Sequence, residues 1–529
     1  MSAVSLNFTT IIAKSNDLQT LPLINPNSIS EHYAFKDSYT NLPSDNTNNK
    51  VALSFQIMTR AEPPELVIKT IESLLAVKQP QDEILIVDNN NTKVHLYQPL
   101  ADYCQKLNPK LKVRFYHVDA IKGYKAGALN LALQLMDRQC SHIVVVDSDY
   151  QALAHARNTI KQAILQHPNH SLLQFPQFYR SHGQVDIHSE LNHYFNHHLY
   201  RPFNRIRALS TGTFAVIKVD DLIKLGGWSS ESITEDAQMG VLMHRHGMNS
   251  EFIPKVIASG ILPNTLKDLI AQRRRWIYGN MQVLKKYFRS SKLVPASDEN
   301  FDSVTTTKFS NNEPLSYGQR FSLLRAHLSQ LTAWVNLTGP FIVFHMLTLM
   351  VIAGSVFYPS AEVNVFFPLA LIYSSYALFI TRRLWAYLQD SSTLNKQFNV
   401  KHKFKLSDRL RTWLLHLNFW ELGALSWLPV LWGQSKPFTC TPKQKIMNDD
   451  KAPWIKDLIV APKLLLILNF ITALMVSPIS EFYSPLLFAC AVGFFLLKLA
   501  SILVTVYNFS NTKPLSRLEL SSDTILNKS

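Results

Sequence analysis

Hydrophobic and polar positions divide the chain into two regimes. In the first, short apolar runs at Val51–Met58, Ile84–Val87, Val113–Val118 and Ile143–Val146 each give way to a polar turn or a stretch with helical apolar spacing. That alternation predicts βα units and therefore a mainly parallel sheet. Between the first two runs, Val67, Ile71, Leu74 and Leu75 recur on one helical face, and Pro63 and Pro64 suit a helix start. Sheets of this kind bind ligands at the carboxyl ends of their strands, where Asp88 and Asp147 both fall.

In the second regime, Leu331–Phe357, Val365–Ile380, Leu458–Val476 and Leu486–Val506 are predominantly apolar. Runs of roughly 20 apolar residues suffice to cross a bilayer core, so four crossings are predicted. A fifth segment, Trp413–Trp432, contains Glu421 and four tryptophans and lies between basic intervals. Arg382, Arg383, Lys396, Lys401, Lys403, Lys405, Arg409 and Arg411 precede it; Lys436, Lys443, Lys445, Lys451 and Lys456 follow. Basic loops stay cytosolic. A segment with both ends there does not cross once, so 410–433 is expected to be interfacial or re-entrant. The turns Tyr358–Asn364 and Pro478–Phe482 carry no Lys or Arg and are expected to face outward. An even number of crossings then returns the tail, 509–529, to the cytosolic side. Residues 1–50 lack an uninterrupted apolar core and are rich in Asn, Ser and Thr, which argues against a signal peptide and predicts a flexible arm. The expected organisation is therefore arm 1–50, α/β domain 51–290, linker or interfacial segment 291–325, transmembrane region 326–508 with a loop at 434–456, and tail.

With 529 residues there is room for both regions. The net charge of +15 is concentrated beside the apolar segments, which favours anionic lipid and a phosphorylated substrate over nucleic acid as counterparts. No nucleic-acid-binding motif is present. Cys104, Cys140, Cys440 and Cys490 form no CxxC pair, which disfavours a zinc ribbon or disulfide framework and fits a reducing compartment.

The candidate chemistry begins at Val-Asp-Ser-Asp, 146–149. Asp147 and Asp149, flanking small Ser148, offer hard oxygen ligands for Mg²⁺ or Mn²⁺ bridging a diphosphate. The metal would neutralise charge growing on the leaving nucleotide. Alone, such an acidic turn is a common surface feature. Asp236 follows Thr234 and Glu235 at the start of a helix predicted over Ala237–His244. Acids there serve the helix dipole in many proteins; the functional reading is a general base for a sugar hydroxyl. One base suffices for direct displacement with inversion. Gln272-Arg-Arg-Arg-Trp276 lies in a helix predicted over Thr265–Lys286, with Thr265 and Asp268 resembling a capping box and Leu266, Leu269, Ile270 and Ile277 forming an apolar stripe. A run of arginines is commonly a solvated or lipid-facing face. Here guanidinium forks suited to diphosphate stand beside an indole suited to a sugar ring. His188, His193, His197 and His198 read as a polar helix face, and Asn89–Asn91 as a turn.

Taken together, Asp88, Asp147-Ser-Asp149, Thr234-Glu-Asp236 and Gln272-x-x-Arg-Trp276 resemble the Asp, DxD, TED and Q-x-x-R-W series of processive, cellulose synthase-like family 2 glycosyltransferases, which have a GT-A fold. The resemblance runs from Val51 to Lys443. It includes Lys125-Ala-Gly-Ala-Leu-Asn130, Gly226-Gly-Trp228 and Phe438-Thr-Cys-Thr-Pro-Lys443, which is similar to a cellulose synthase gating loop with Cys440 in the valine position. Hyaluronan and chitin-type relatives generally lack that loop, which tilts the reading toward glucan. The resemblance implies that Asp88, Lys125, Asp147, Arg275, Thr441 and Lys443 serve the nucleotide sugar, the last two by closing over it. It implies Asp149 as principal metal ligand with Asp147 nearby, Asp236 as base, and Thr211, Gly212, Glu235, Gln272 and Trp276 beside the acceptor.

Departures are also legible. Thr59-Arg-Ala-Glu62 stands where the family has Thr-Tyr-Asn-Glu, and Thr211-Gly-Thr213 where cellulose synthases have Cys-Gly-Ser. Glucomannan-type relatives have Asn-Gly-Thr at the latter turn, which leaves GDP-mannose open as donor. No crossing segment precedes the α/β domain, unlike in cellulose synthases, so a narrower channel, or an oligomer or accessory export subunit, enters the expectation. No PilZ-type domain follows, and control by cyclic di-GMP is not expected. The resulting expectation is an inverting hexosyltransferase of the plasma (inner) membrane, its catalytic domain cytosolic, that polymerises a β-linked glucan from UDP-glucose. Membrane lipids and the growing polysaccharide are its expected partners. The alternatives are a mannan or glucomannan-type synthase, single-sugar transfer to a lipid carrier, and a non-catalytic scaffold. Lipid-carrier enzymes generally lack Gln272–Trp276 and the gating loop, and a decayed scaffold has no reason to keep Asp147, Asp149, Asp236, Arg275 and Trp276 together.

Overall fold

The apolar runs become strands β2 (Leu53–Thr59), β3 (Glu83–Asp88), β4 (Val113–Val118) and β5 (His142–Asp147), paired in parallel in the order β4-β3-β2-β5. Every residue of β3 is buried, as expected for a strand covered on both faces, which is why these segments do not alternate. Helices α1 (Pro64–Leu75), α2 (Val94–Lys106), α3 (Tyr124–Leu135) and α4 (Ala156–Gln166) follow in turn. The chain is represented by a computed structural model that describes residues 10–13, 51–181, 184–185, 208–261, 263, 265–289, 334–358, 366–389, 406–433 and 453–510, with positions 318, 321, 327 and 331.

The flexible arm expected over 1–50 is corrected at one point: Thr10–Ala13 form β1, which pairs in parallel with β4, Thr10 opposite Phe115. The outer edge of β4 offers unpaired backbone groups, and Thr10, Ile11 and Ile12 are β-branched. Beyond β5 the sheet continues through β10 (Ala215–Lys218), β7 (Leu172–Gln174) and β11 (Ser250–Phe252). Among its eight strands only β10 runs against the others, antiparallel to both β5 and β7. A smaller sheet has the order β6 (Gln151–Ala152), β12 (Ala258–Ile261), β8 (Tyr179–Ser181), β9 (Gln184–Val185). Register sets Thr59 opposite Asp88 and Met58 opposite Asp147, so the carboxyl ends of β2, β3 and β5 share one edge. Three further helices, α5 (Val219–Lys224), α6 (Glu235–Arg245) and α7 (Leu266–Arg289), complete the α/β domain.

The second region comprises α8 (Thr338–Phe357), α9 (Phe366–Leu388), α10 (Leu406–Ser426), α11 (Leu428–Leu431), α12 (Pro453–Val460), α13 (Leu464–Met475) and α14 (Pro485–Ser510). Four crossings were expected; among the described residues, two or three helical stretches meet the length and composition of a span. Thr338–Ser355 and Pro485–Phe509 are long and apolar enough to cross a membrane, and a third candidate exists only if α12 and α13, bent by 71° at their junction, count as one. By itself α13 has 12 residues. At 1.5 Å per residue it would reach about 18 Å, short of a bilayer core of about 30 Å. The α9 segment is interrupted by Tyr373, Ser374, Ser375, Tyr376, Arg382 and Arg383. Residues 434–452, within the expected loop, and 511–529, most of the expected tail, lie outside the described residues.

Helix α10 is largely buried, with Trp413, Phe419 and Trp420 inside, and it packs on α7, α8, α9 and α14. It therefore joins the two regions. Glu421 of α10 lies 2.6 Å from Lys498 of α14, both buried, and also accepts hydrogen bonds from Leu464 N and Leu465 N at the open end of α13. Lys498 donates to Asn418, which donates to Thr505 at 3.2 Å. Charges removed from water need such multiple partners.

Candidate active site

The motif at 125–130 and the Gly-Gly-Trp turn at 226–228 form one device. Asn130 accepts from Trp228 N and donates to Trp228 O, each at 2.8 Å. Gly227 has φ +85°, and a Cβ there would lie 2.4 Å from Asn130 Oδ1, so only glycine lets the turn close on α3. This clamp brings the segment leading into α6 against the helix that carries Lys125. Lys125 Nζ lies 2.7 Å from Asp147 Oδ1 and 3.7 Å from Glu235 Oε1.

The turn at 211–213 is fixed from both sides. Thr211 N donates to Gln174 Oε1 at 3.0 Å, Gln177 donates to Thr211 O, and Asp147 N donates to Thr213 Oγ1 at 3.0 Å. Gly212 has φ +93°, and a Cβ there would stand 2.9 Å from Asp236 Oδ2. The carboxylate of Asp236 therefore presses on the turn. Asp149 is held from β12, whose Ile261 N donates to Asp149 Oδ2 at 3.1 Å. The capping box is present: Asp268 N donates to Thr265 Oγ1 at 3.1 Å. Helix α7 also seats the turn before α6. Ser232 Oγ donates to Gly279 O at 3.1 Å and Ile233 N to Gln282 Oε1 at 3.3 Å, while a Cβ on Gly279 would meet Thr234 at 2.5 Å.

These contacts enclose a cavity of about 230 Å³ whose wall contains Lys125, Asp147, Asp149, Thr211, Gly212, Glu235, Asp236, Gln272, Arg275 and Trp276. Ten residues singled out in the sequence thus meet in one place. Asp88 does not join them. It is fully buried, accepting from Asn90 N at 3.1 Å and Asn90 Nδ2 at 2.5 Å and lying 2.7 Å from His117 Nδ1; its neighbour Asn89 reaches the wall instead. The Asn89–Asn91 turn is therefore more than a connector. Thr441 and Lys443, like His188, His193, His197 and His198, lie outside the described residues.

Sequence reasoning missed Tyr124, Gln177, Tyr179, Asn280 and Trp334, all on the wall. Gln177 and Tyr179 follow a strand end, a position that marks binding residues in such sheets. Trp334 gives no such signal, because it sits at the head of a segment read as a crossing. Arg273 is fully buried and stacks on Trp276 at 4.3 Å and Trp334 at 5.2 Å, so the arginine run divides between a cation packed among indoles and a cavity-facing Arg275. Thr211 Oγ1 and Asn280 Oδ1 are buried without partners among the described residues, available to hydroxyl groups of a ligand.

Burial, then the charge of Glu235, pushes Asp236 up to about 7, against the opposing pull of Lys125. Burial disfavours the Lys125 ammonium, but Asp147 and Glu235 outweigh it and hold the group above its ordinary range. Asp147 and Asp149 fit a divalent cation. Both are carboxylates on the cavity wall, and magnesium-like ions are commonly held by one or two protein carboxylates plus substrate phosphates.

The family described as "Glycosyl transferase family 2" matches residues 54–226, and "Glycosyl transferase family group 2" matches 142–382. Both are family 2 glycosyltransferase models, and their matches together run from residue 54 to residue 382. The chain's curated relatives include cellulose synthases and glucomannan mannosyltransferases. "Cellulose synthase catalytic subunit [UDP-forming]" of Pseudomonas fluorescens (strain SBW25) is 25% identical over 244 residues, 43% of this chain and 31% of the relative. "Glucomannan 4-beta-mannosyltransferase 1" of Cyamopsis tetragonoloba is 26% identical over 231 residues, 41% of this chain and 43% of the relative. The chain thus spans less than half the length of these relatives. A solved mannosyltransferase, PcManGT from Pyrobaculum calidifontis in complex with GDP-Man and Mn²⁺, aligns with 69% of this chain and 92% of its own at 17% identity and a TM-score of 0.42. The cavity is shared between the two regions, since Leu331 and Trp334, just ahead of α8, stand on its wall.

Proposed function

We propose that this chain is an inverting hexosyltransferase that extends a β-linked polysaccharide from a nucleoside diphosphate sugar at a membrane. The observation that carries the reading is the convergence of Asp147, Asp149, Asp236, Arg275 and Trp276 on one cavity that Trp334 closes from the side of the membrane helices.

In this reading the donor diphosphate lies among Lys125, Arg275 and the Asp147–Asp149 pair. Asp147 and Asp149 would hold a divalent cation, which when bound would supply neutralisation of charge on the leaving group. Trp276 and Gln272 orient the acceptor ring, with Thr211 and Gly212 defining its approach. Asp236, deprotonated, takes the proton of the acceptor hydroxyl while its oxygen bonds to the anomeric carbon and the bond to the diphosphate breaks on the opposite face. A positioned base of this kind contributes roughly 10² to 10⁴ in rate. Thr441 and Lys443 are proposed to close over the donor, and Asp88 to act by fixing Asn89 and Asn90 at its nucleotide end.

UDP-glucose is the leading donor, supported by the gating-loop sequence and by the relative named as UDP-forming. The Thr211-Gly-Thr213 turn and the similarity to a glucomannan mannosyltransferase support GDP-mannose as a second reading. The proposed setting is the plasma membrane, with the α/β domain in the cytosol.

The test is purified protein in lipid, supplied with radiolabelled UDP-glucose or GDP-mannose with and without EDTA, and digestion of the product with linkage-specific glucanases and mannanases. Polymer from one donor, lost with EDTA and with Asp236→Asn, is expected. Incorporation indifferent to EDTA would remove the cation, a lipid-soluble monosaccharide product would overturn polymerisation, and full activity of Asp236→Asn would overturn the base.

A further inference from the structure

Away from the cavity, three potential ligands meet at the edge of the main sheet. His167 ends α4, His170 lies in the connection to β7, and Glu251 is on the edge strand β11, opposite Leu173 of β7. One ligand atom from each lies within 4.8 Å of the other two, and among the described residues no other group of His, Cys, Asp or Glu does this.

The contact between His170 and Glu251 is a poor salt bridge. His170 Nε2 stands 3.7 Å from Glu251 Oε2. Hydrogen bonds of this type span about 2.7–3.2 Å, whereas two ligands each about 2.0–2.1 Å from a shared tetrahedral ion lie about 3.4 Å apart. His170 Nδ1 is buried without a partner among the described residues. Burial and then the neighbouring His167 lower the pKa of His170. The two imidazoles meet edge to face at 5.1 Å.

We propose that His167, His170 and Glu251 form a binding site for a divalent transition metal of the zinc class, independent of the sugar-transfer site. Two imidazoles and a carboxylate suit zinc, cobalt or nickel rather than magnesium, and a water completes the four-coordinate shell. The bound ion fastens β11 to the α4–β7 connection, a junction otherwise held by the β7–β11 pairing and by Ser171 N donating to Asn249 O at 2.8 Å. Its consequence is retention of the sheet edge, not chemistry.

The experiment is a Co²⁺ titration of the untagged full chain in detergent, with excess Mg²⁺ present to occupy the cavity carboxylates. Tetrahedral Co²⁺ absorption saturating at one equivalent is expected, with competition by Zn²⁺ and a Zn²⁺-dependent rise in melting temperature. Both signals should be lost in His170→Ala and weakened in Glu251→Gln, with circular dichroism reporting that the variants are folded. Absence of the tetrahedral bands in the parent, or bands that persist in a folded His167→Ala/His170→Ala variant, overturns the site. Because these readouts do not depend on sugar transfer, their failure leaves the proposed activity untouched.

Discussion

Lys125 lies 2.7 Å from Asp147 and 3.7 Å from Glu235, so one ammonium bridges the two acidic motifs that the chain separates by many residues. Removing it should be felt by both. In Lys125→Met the carboxylates lose their shared counter-charge, and the pull that restrains Asp236 disappears. The pH at which kcat/KM is half-maximal should move upward by about one unit, with kcat/KM at neutral pH down on the order of 10², the size of a lost charge-assisted contact to a diphosphate. A pH–rate profile of variant and parent checks this; an unchanged midpoint would separate Lys125 from the base.

The parent profile has a definite sign. Asp236 titrates near 7 and acts as a base only when deprotonated, so kcat/KM should rise through about pH 7 and level off above it. The stability effect has the opposite sign. The folded-state value exceeds the ordinary carboxylate value of 3.8, so between 3.8 and about 7 the folded protein binds more protons than the unfolded one, and stability falls as pH rises through that window. Asp236→Asn should therefore abolish turnover while raising the melting temperature at pH 8 but not at pH 4, a change on the order of 1 to 3 kcal/mol. Thermal unfolding at the two pH values is the measurement.

Gly212→Ala places a methyl group 2.9 Å from the Asp236 carboxylate at φ +93°. The strain should cost about 1–3 kcal/mol, and the displaced base should lower kcat by about 10². Donor KM should change little, because the diphosphate-facing groups are elsewhere. A larger loss in donor affinity than in kcat would contradict the assignment of this turn.

In the helical region, Lys498→Met leaves Glu421 buried without its cation and should destabilise by about 3–5 kcal/mol. The double variant Lys498→Met/Glu421→Gln should recover part of that loss, since it removes both charges together. Glu421 also accepts from the first backbone N–H groups of α13, so recovery should be incomplete. Unfolding of the two single variants and the double variant in detergent gives the coupling; purely additive losses would argue against the pair.

Much of the α/β domain was legible because its signals are local. Predominantly apolar runs marked β2 to β5, the capping box marked the start of α7, and the acids of Thr234-Glu-Asp236 marked the start of α6. Strands of two to four residues such as β6, β9 and β10 are too short to leave a pattern, and β1 forms because a neighbouring edge is open. Four apolar segments read as four crossings, yet a 71° bend and the polar interruption of α9 reduce the candidates to two or three. Hydropathy reports composition and does not report continuity.

The sequence by itself determined which groups are proposed to carry the chemistry, namely the carboxylates at 147, 149 and 236 and the cations and indole at 125, 275 and 276, because residue type and short spacing are written along the chain. Only the tertiary structure decided that ten such residues share a wall while Asp88 turns inward to His117 and Asn90, and that Trp334 from the second region closes the cavity. Those relationships depend on strand register, on turns that only glycine can close at positions 212 and 227, and on the packing of α7 and α10. Each is a contact between distant segments, and its energy exists only after the intervening chain has folded.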